Sequence, residues 1–304
     1  MRIGVLAAAD NWVFRELERV AGDQHQLIPL QFTGLSTQLK AGCKSLFYSG
    51  ESKQGTDDLD SLDAILIRPM PAGSLQQVVF RMNVLHQVAE QHSIAILNPP
   101  STIEASVDKY LCLEKIRGGE ITVPLTCLAE STSAALLQFE QMGKDSVVKP
   151  LFGSGGKGIQ RIQELSLAEE LFAGKVEQGE IIYQQAFIEH GDWDLRLLVI
   201  GEQVLGMRRT HPGNWVTNIQ QGAVPHPHLP TAQEAGIARL AANRIGARMA
   251  GVDLLYDGLG HPWVIEVNAC PGWQALASVS DIDISALVLE QILSEVENGP
   301  PPVS

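Results

Sequence analysis

Val147-Val148-Lys149-Pro150-Leu151-Phe152-Gly153-Ser154-Gly155-Gly156-Lys157-Gly158-Ile159 is an apolar run that ends in lysine and then breaks into glycines. A strand ending in Lys149 delivers a cation to a fixed point. The glycines after it let backbone N–H groups fold over phosphate oxygens. The order differs from a Walker A loop, in which the lysine follows the glycines and is itself followed by Ser or Thr. The stretch therefore reads either as a phosphate-binding hairpin of another kind or as a glycine-rich turn with a solvated lysine.

A second constellation lies near the other end, in Gly251-Val252-Asp253-Leu254-Leu255-Tyr256 and Trp263-Val264-Ile265-Glu266-Val267-Asn268. Alternation along a strand puts Glu266 and Asn268 on one face and Trp263, Ile265 and Val267 on the other. If Asp257-Gly258-Leu259-Gly260-His261-Pro262 turns a hairpin that pairs Asp257 with Pro262, the same register sets Asp253 opposite Glu266. Facing carboxylates repel unless a cation lies between them. Two acids and an amide oxygen suit Mg²⁺ shared with nucleotide phosphates, the alternative being two solvated acids on an exposed sheet face. Between the two constellations lie Asp194-Leu195-Arg196, Met207-Arg208-Arg209-Thr210 and Asn218-Ile219-Gln220-Gln221-Gly222. Arginine forks match carboxylate and phosphate groups, although any one of them also reads as a surface residue. Tyr183-Gln184-Gln185-Ala186-Phe187-Ile188-Glu189 reads as a core strand leading into a connection with a solvated acid, or as an edge for an adenine and an acid for a ribose.

Upstream, Arg2 to Leu6, Ala64 to Ile67 and Ile94 to Leu97 are short apolar runs. A helical stretch carrying Leu75, Val78, Val79, Met82 and Leu85 separates the last two. This βαβ pattern predicts a doubly wound, Rossmann-like unit ending near Asn98-Pro99-Pro100. Gly4-Val5-Leu6-Ala7-Ala8-Ala9 lacks the later glycines of a dinucleotide site, which argues against a nicotinamide dehydrogenase. Downstream of Pro230, Thr231-Ala232-Gln233-Glu234 forms a capping box for a helix that buries Ile237, Leu240, Ala241 and Ile245.

The 304 residues exceed what one core usually serves, so two or three subdomains are expected. With 45% hydrophobic and 19% charged residues the composition is that of a globular protein. A net charge of −13, from 22 basic and 35 acidic residues, argues against nonspecific nucleic-acid binding. No apolar stretch reaches the roughly 18 residues of a membrane span, and no secretory leader is evident, so a cytoplasmic protein without a membrane partner is expected. Cys43, Cys112, Cys127 and Cys270 form no C-x-x-C pair and read as core thiols. Pro212, Pro225, Pro227 and Pro230 place His211, His226 and His228 in irregular loops without zinc-site spacing. No G-x-S-x-G elbow supports covalent hydrolase chemistry.

Taken in order, Lys109 on a helix, Lys149 before Gly153 to Gly158, Asp194-Leu195-Arg196, Arg209, Asn218, Gly251-Val252-Asp253 and Glu266-Val267-Asn268-Ala269-Cys270-Pro271-Gly272 resemble the ATP-grasp superfamily and, within it, its RimK-like branch. The resemblance covers roughly residues 100 to 275. It implies α/β and α+β architecture, an ATP-grasp fold behind an N-terminal Rossmann-like pre-ATP-grasp domain. The expected segments are 1–98, a central subdomain 99–185, a C-terminal subdomain 186–297 and a frayed tail 298–304.

By position the resemblance implies that Lys109 and Lys149 contact ATP phosphates and that the loop around Ser154 closes over the γ-phosphate. Gln184, Gln185, Phe187 and Ile188 would form the adenine hinge, with Glu189 the ribose acid and Asp194 a further cofactor contact. Asp253, Glu266 and Asn268 would hold Mg²⁺ or Mn²⁺, two ions in all. Arg196, Arg209 and Asn218 would stabilise an acyl phosphate, which an amine attacks to give amide, ADP and phosphate. The partners implied are a small carboxylate and an amino acid, glutamate in many members of the branch, with a dimer or tetramer as the common assembly. Gln221 stands where the branch often carries a basic residue. The N-terminal run Arg68-Pro69-Met70-Pro71 with Phe80-Arg81-Met82-Asn83 resembles ligases that glutamylate a pterin-type cofactor, and makes Arg68 a candidate acceptor contact.

Overall fold

The computed structural model describes residues 1–39, 41, 46–49, 57–92, 94–153 and 155–298. Ser154 and the tail from Gly299 onward lie outside the described residues.

The N-terminal runs form a parallel sheet in the order Gln26–Pro29, Arg2–Val5, Ala64–Leu66, Ala95–Leu97. Apart from the edge strand Gln26–Pro29, its strands are buried on both faces, as expected when helices cover both sides. Ile3, Val5, Ala64, Leu66, Ala95 and Leu97 pack on one side with Val13, Phe14 and Leu17 of helix Trp12–Ala21. Leu6, Ile28, Ile65, Ile67 and Ile96 pack on the other with Met82, Leu85 and Val88 of helix Leu75–His92. Leu75, Val78 and Val79, assigned to that helix's periodic stretch, are exposed. The helix is 18 residues long against strands of three and four, so its first turns run past the sheet.

A small antiparallel sheet, Leu35–Gln38, Leu46–Ser49 and Asp57–Asp58, is a feature the sequence pattern did not signal. The final helix, Ile284–Asn298, returns to the first sheet, where Ile284, Val288 and Ile292 join the core beside Trp273.

The middle of the chain forms an antiparallel sheet in the order Gln160–Ile162, Ser146–Lys149, Ile182–Ala186, Thr126–Ala129. Helices Thr132–Gln141 and Leu165–Glu177 cover one face, where Phe139 and Phe172 meet edge to face at 6.4 Å. The other face is left to the cleft.

The largest sheet runs Val224–His228, Gln203–Thr210, Trp193–Ile200, Met249–Tyr256, Pro262–Asn268, all antiparallel. Leu195, Leu197, Val199, Ala250, Val252 and Leu254 point to the helix Ala232–Arg244, whose Thr231–Glu234 capping box is present and whose Ile237, Ala241 and Ile245 are buried. Leu240 is only half-buried. Val224–His228 corrects the expectation of irregular loops. Its prolines are accommodated because it is an edge strand, where a missing N–H costs no ladder bond. His226 meets Thr210 Oγ1 and His228 meets Glu234 Oε2, so these rings serve the sheet.

Asn98, at the close of the first unit, joins that unit to the large sheet. Its Nδ2 donates to the carbonyls of Met249 and Ala269, each at 2.6 Å, and its Oδ1 accepts from the N–H groups of Arg248 and Met249 at 2.8 and 3.1 Å.

Candidate active site

The open faces of the middle sheet and of the largest sheet enclose a cleft of about 900 Å³ including its mouth, within the range of small-molecule sites. Alternation sets what the large sheet contributes. Asp194 pairs across the ladder with Arg209, Arg196 with Asp253, and Asp253 with Glu266, so one face carries a row of charges across four strands.

Arg209 holds Asp194 through two bonds, Nε to Oδ1 at 2.7 Å and Nη2 to Oδ2 at 2.5 Å. Its Nη2 also lies 3.1 Å from Asp253 Oδ2, while Arg196 Nη1 reaches Asp253 Oδ1 at 2.6 Å. Burial disfavours the Asp253 charge, but the two guanidinium groups outweigh it and hold the carboxyl below its ordinary range. Burial likewise opposes the Arg209 charge, and the two carboxylates more than compensate. Arg196 reaches its partner by lying over Gly251, where a Cβ would stand 2.7 Å from its Cζ.

The Asp253–Glu266 pairing arises differently from the way the turn suggested. The hairpin pairs Tyr256, not Asp257, with Pro262, and the lost step is restored by an extra residue, Ile265, between Val264 and Glu266. This bulge puts Ile265 and Glu266 together on the cleft side, while Val264 and Val267 both enter the core beneath. The expectation that Ile265 faces away is therefore corrected. Asn268 Oδ1 accepts from the N–H of Cys270, bracing the bend after the strand.

Opposite, Lys149 Nζ donates to Gln185 Oε1 at 2.6 Å, and removal from water brings the lysine down to about 8. Lys109 opens a helix capped by Asp108 and donates to the carbonyls of Gly153 and Leu151 at 2.8 and 3.2 Å. Burial also lowers Lys109. The glycine loop rests against the turn that follows Asn218. A Cβ at Gly156 would sit 2.5 Å from Asn218 Oδ1, and one at Gly155 would sit 2.0 Å from Gln220 Oε1. Both glycines have φ near +70°, which few other residues adopt. Gln221 Nε2 donates to the Gly155 carbonyl.

The side chains of two expected nucleotide contacts lie outside the cleft. Gln184 points to the opposite face from Gln185, where its Nε2 donates to the carbonyl of Ala135, because neighbouring strand residues face opposite ways. Glu189 is turned outward with its side chain 79% exposed, 4.0 Å from Arg161, and lies outside the cleft. Phe187 and Ile188 line the cleft, as do Asn218 and Asp194, although both Asp194 oxygens are engaged by Arg209. Arg68 lies outside the cleft lining and donates to the carbonyl of Pro271. Trp215, Thr217 and His190 line the cleft without having been singled out from the sequence. Trp215 meets the Phe187 ring at 5.6 Å, and a lone Trp after Gly213-Asn214 in a polar loop was the available signal.

A divalent ion coordinated through oxygen would have to displace existing partners, since Arg196 and Arg209 hold the two Asp253 oxygens and Asn268 Oδ1 accepts from the Cys270 N–H. Among the described residues no group of three His, Cys, Asp or Glu side chains is placed to hold a metal. Asp253, Glu266 and Asn268 supply two acids and one amide, a set that phosphate oxygens would complete.

A model of the RimK-like ATP-grasp domain matches residues 106–292. The chain belongs to the RimK-like ATP-grasp family. It is an ATP-grasp ligase. Relatives include the tetrahydromethanopterin:alpha-L-glutamate ligase of Methanococcus maripaludis, 28% identical over 97% of this chain and 98% of the relative. The protein of the same name from Methanocaldococcus jannaschii is 32% identical, covering 79% of this chain and 82% of its own. Among solved structures, the RimK domain ATP-grasp protein of Sphaerobacter thermophilus superposes with a TM-score of 0.71 at 18% identity, over 96% of this chain and all of the other (100%). The ligase PsnB, complexed with minimal precursor, Mg and ADP, gives 0.72 at 16% identity, over 97% of each chain. At these identities the likeness is one of fold. No helix among the described residues is long and apolar enough to cross a membrane.

Proposed function

We propose that this ligase uses ATP to activate a carboxylate of a small acidic acceptor, of the pterin type, and joins L-glutamate to it as an amide. The observation that carries the ligase chemistry is the charged row of the large sheet, Asp194, Arg209, Asp253 and Glu266, standing across one cleft from Lys149 and the glycine loop. The naming of relatives that span the chain end to end supports glutamate and the pterin acceptor.

In this reading Lys109 and Lys149 bind the phosphates, and the backbone from Gly153 to Gly158 folds over them. Gln185, Phe187 and Ile188 border the adenine. Asp253, Glu266 and Asn268 would hold two magnesium or manganese ions, which would neutralise phosphate charge and polarise the phosphorus. A carboxylate oxygen of the acceptor attacks the γ-phosphorus as ADP leaves, and the amine nitrogen then displaces phosphate from the acyl carbon. Arg196, paired with Asp253 over Gly251, would turn from that carboxylate to the acyl phosphate. Asn218 supports the loop that covers it. Electrostatic stabilisation by these fixed groups is the main catalytic contribution.

The test is ADP release from ATP with tetrahydromethanopterin and L-glutamate, with mass spectrometry for an acceptor heavier by one glutamyl residue. Glu266→Gln should lose turnover far more than nucleotide binding. An enzyme that binds ADP and magnesium but releases no ADP with these substrates would defeat the assignment of acceptor and amine.

A further inference from the structure

Arg68 follows strand Ala64–Leu66 at its C-terminal end, the end at which parallel sheets place ligand sites. It is 6% exposed. Its Nη2 donates to the Pro271 carbonyl at 2.8 Å, and its guanidinium lies 4.9 Å from the centroid of the Trp273 ring. That ring is itself fixed, by a bond to Ser285 Oγ at 3.0 Å and an edge contact with Trp12 at 6.2 Å. Nη1 is buried and has no hydrogen-bond partner. Among the described residues no carboxylate pairs with Arg68, and burial pulls its charge below the ordinary value.

A buried guanidinium without a counter-ion is costly, and proteins normally pair or replace one. A carbonyl and an aromatic face satisfy part of it and supply no negative charge. Its location indicates where that charge comes from. Pro271 is five residues beyond Glu266, the last residue of its strand to line the cleft, a span of about 17 Å of chain at most, so a group on Nη1 lies within reach of one small molecule whose other end is in the cleft. The surrounding chain from Pro69 to Phe80 is at the surface apart from half-buried Met70. Arg81, 4% exposed, ties this segment down by donating to the Pro71 carbonyl at 2.9 Å.

We propose that Arg68 is the acceptor-recognition residue of this ligase, its Nη1 taking a carboxylate of the acceptor other than the one that is activated. The proposal rests on the ligase reading above and deepens it: the acceptor carries at least two carboxylates. Nη1 is sealed from solvent, so the anion enters as the covering atoms part, and the dry surroundings strengthen the contact once made.

Arg68→Met separates this role from a structural one before any substrate is known. Without ligand, Arg68→Met should melt at or above the wild-type temperature, because it removes an uncompensated charge. Glutarate, a plain dicarboxylate, added to the ADP- and magnesium-loaded wild type should raise its melting temperature, and the rise should be absent in Arg68→Met. In turnover with tetrahydromethanopterin and L-glutamate, KM for the pterin acid should rise about 10- to 100-fold, with KM for glutamate and the affinity for ADP unchanged. A melting temperature lowered by several degrees without any glutarate effect in the wild type overturns the proposal. A rise in the glutamate KM instead overturns the acceptor assignment, by giving the carboxylate to the incoming amino acid. If the wild type turns over no pterin, the proposed function fails while the melting experiments still decide Arg68.

Discussion

Replacing Asn98 with Ala tests whether one side chain joins the N-terminal unit to the metal-bearing sheet. The residue is fully buried (0% exposed) and makes four hydrogen bonds, two donated to the Met249 and Ala269 carbonyls and two accepted from the Arg248 and Met249 amides. Alanine leaves those four backbone groups without this partner, in a place where water does not replace it. At about 1 kcal/mol each, the low end for stranded buried groups, the loss is about 4 kcal/mol. For a chain of 304 residues that corresponds to a fall in melting temperature of about 6 °C. Asn98→Asp should be at least as harmful, since it would turn a carboxylate oxygen toward two carbonyls. Because Ala269 directly follows Asn268, affinity for Mn²⁺ in the presence of ADP should also drop. The measurement is thermal unfolding followed by two probes, one reporting helix content and one the tryptophans. A loss below about 1 kcal/mol would show that the joint is carried by apolar packing alone and refute the reasoning.

Two further outcomes follow from the charges in the cleft. Lys149 sits at about 8, so the free enzyme carries its charge below that pH and loses it above, whereas a bound polyphosphate favours the charged form. Nucleotide affinity should therefore be level up to pH 8 and fall about tenfold by pH 9 with proton uptake on binding, measured by calorimetry in two buffers; level affinity to pH 9.5 would contradict it. Asp194→Asn with Arg209→Met removes a buried ion pair without changing net charge, so the fold should survive, as neutral replacements of such pairs often do. Asp253 loses one of the two groups that orient it, and affinity for Mn²⁺ with ADP, read by electron paramagnetic resonance, should weaken about tenfold. Unchanged affinity would mean that Arg209 serves the phosphates directly.

What the sequence by itself determined was whatever depends on neighbours close along the chain. The Thr231–Glu234 capping box, the lysine and glycines from Lys149 to Gly158, and the buried runs of the first sheet are of this kind, and each is present in the structure. The pairing of Asp253 with Glu266 was also legible, although through a turn read one residue out of step and put right by a bulge at Ile265. Tertiary structure decided the rest. Alternation tells that Gln184 and Gln185 face opposite ways, but which of them meets the cleft depends on which side the helices Thr132–Gln141 and Leu165–Glu177 cover. The prolines of Val224–His228 look like loop residues until an edge position makes their missing N–H harmless. Asn98, Arg68 and the return of helix Ile284–Asn298 to the first sheet join residues more than 150 positions apart. Local periodicity holds no record of such contacts, because they are selected by the burial of whole faces against one another and by the hydrogen bonds that burial then requires.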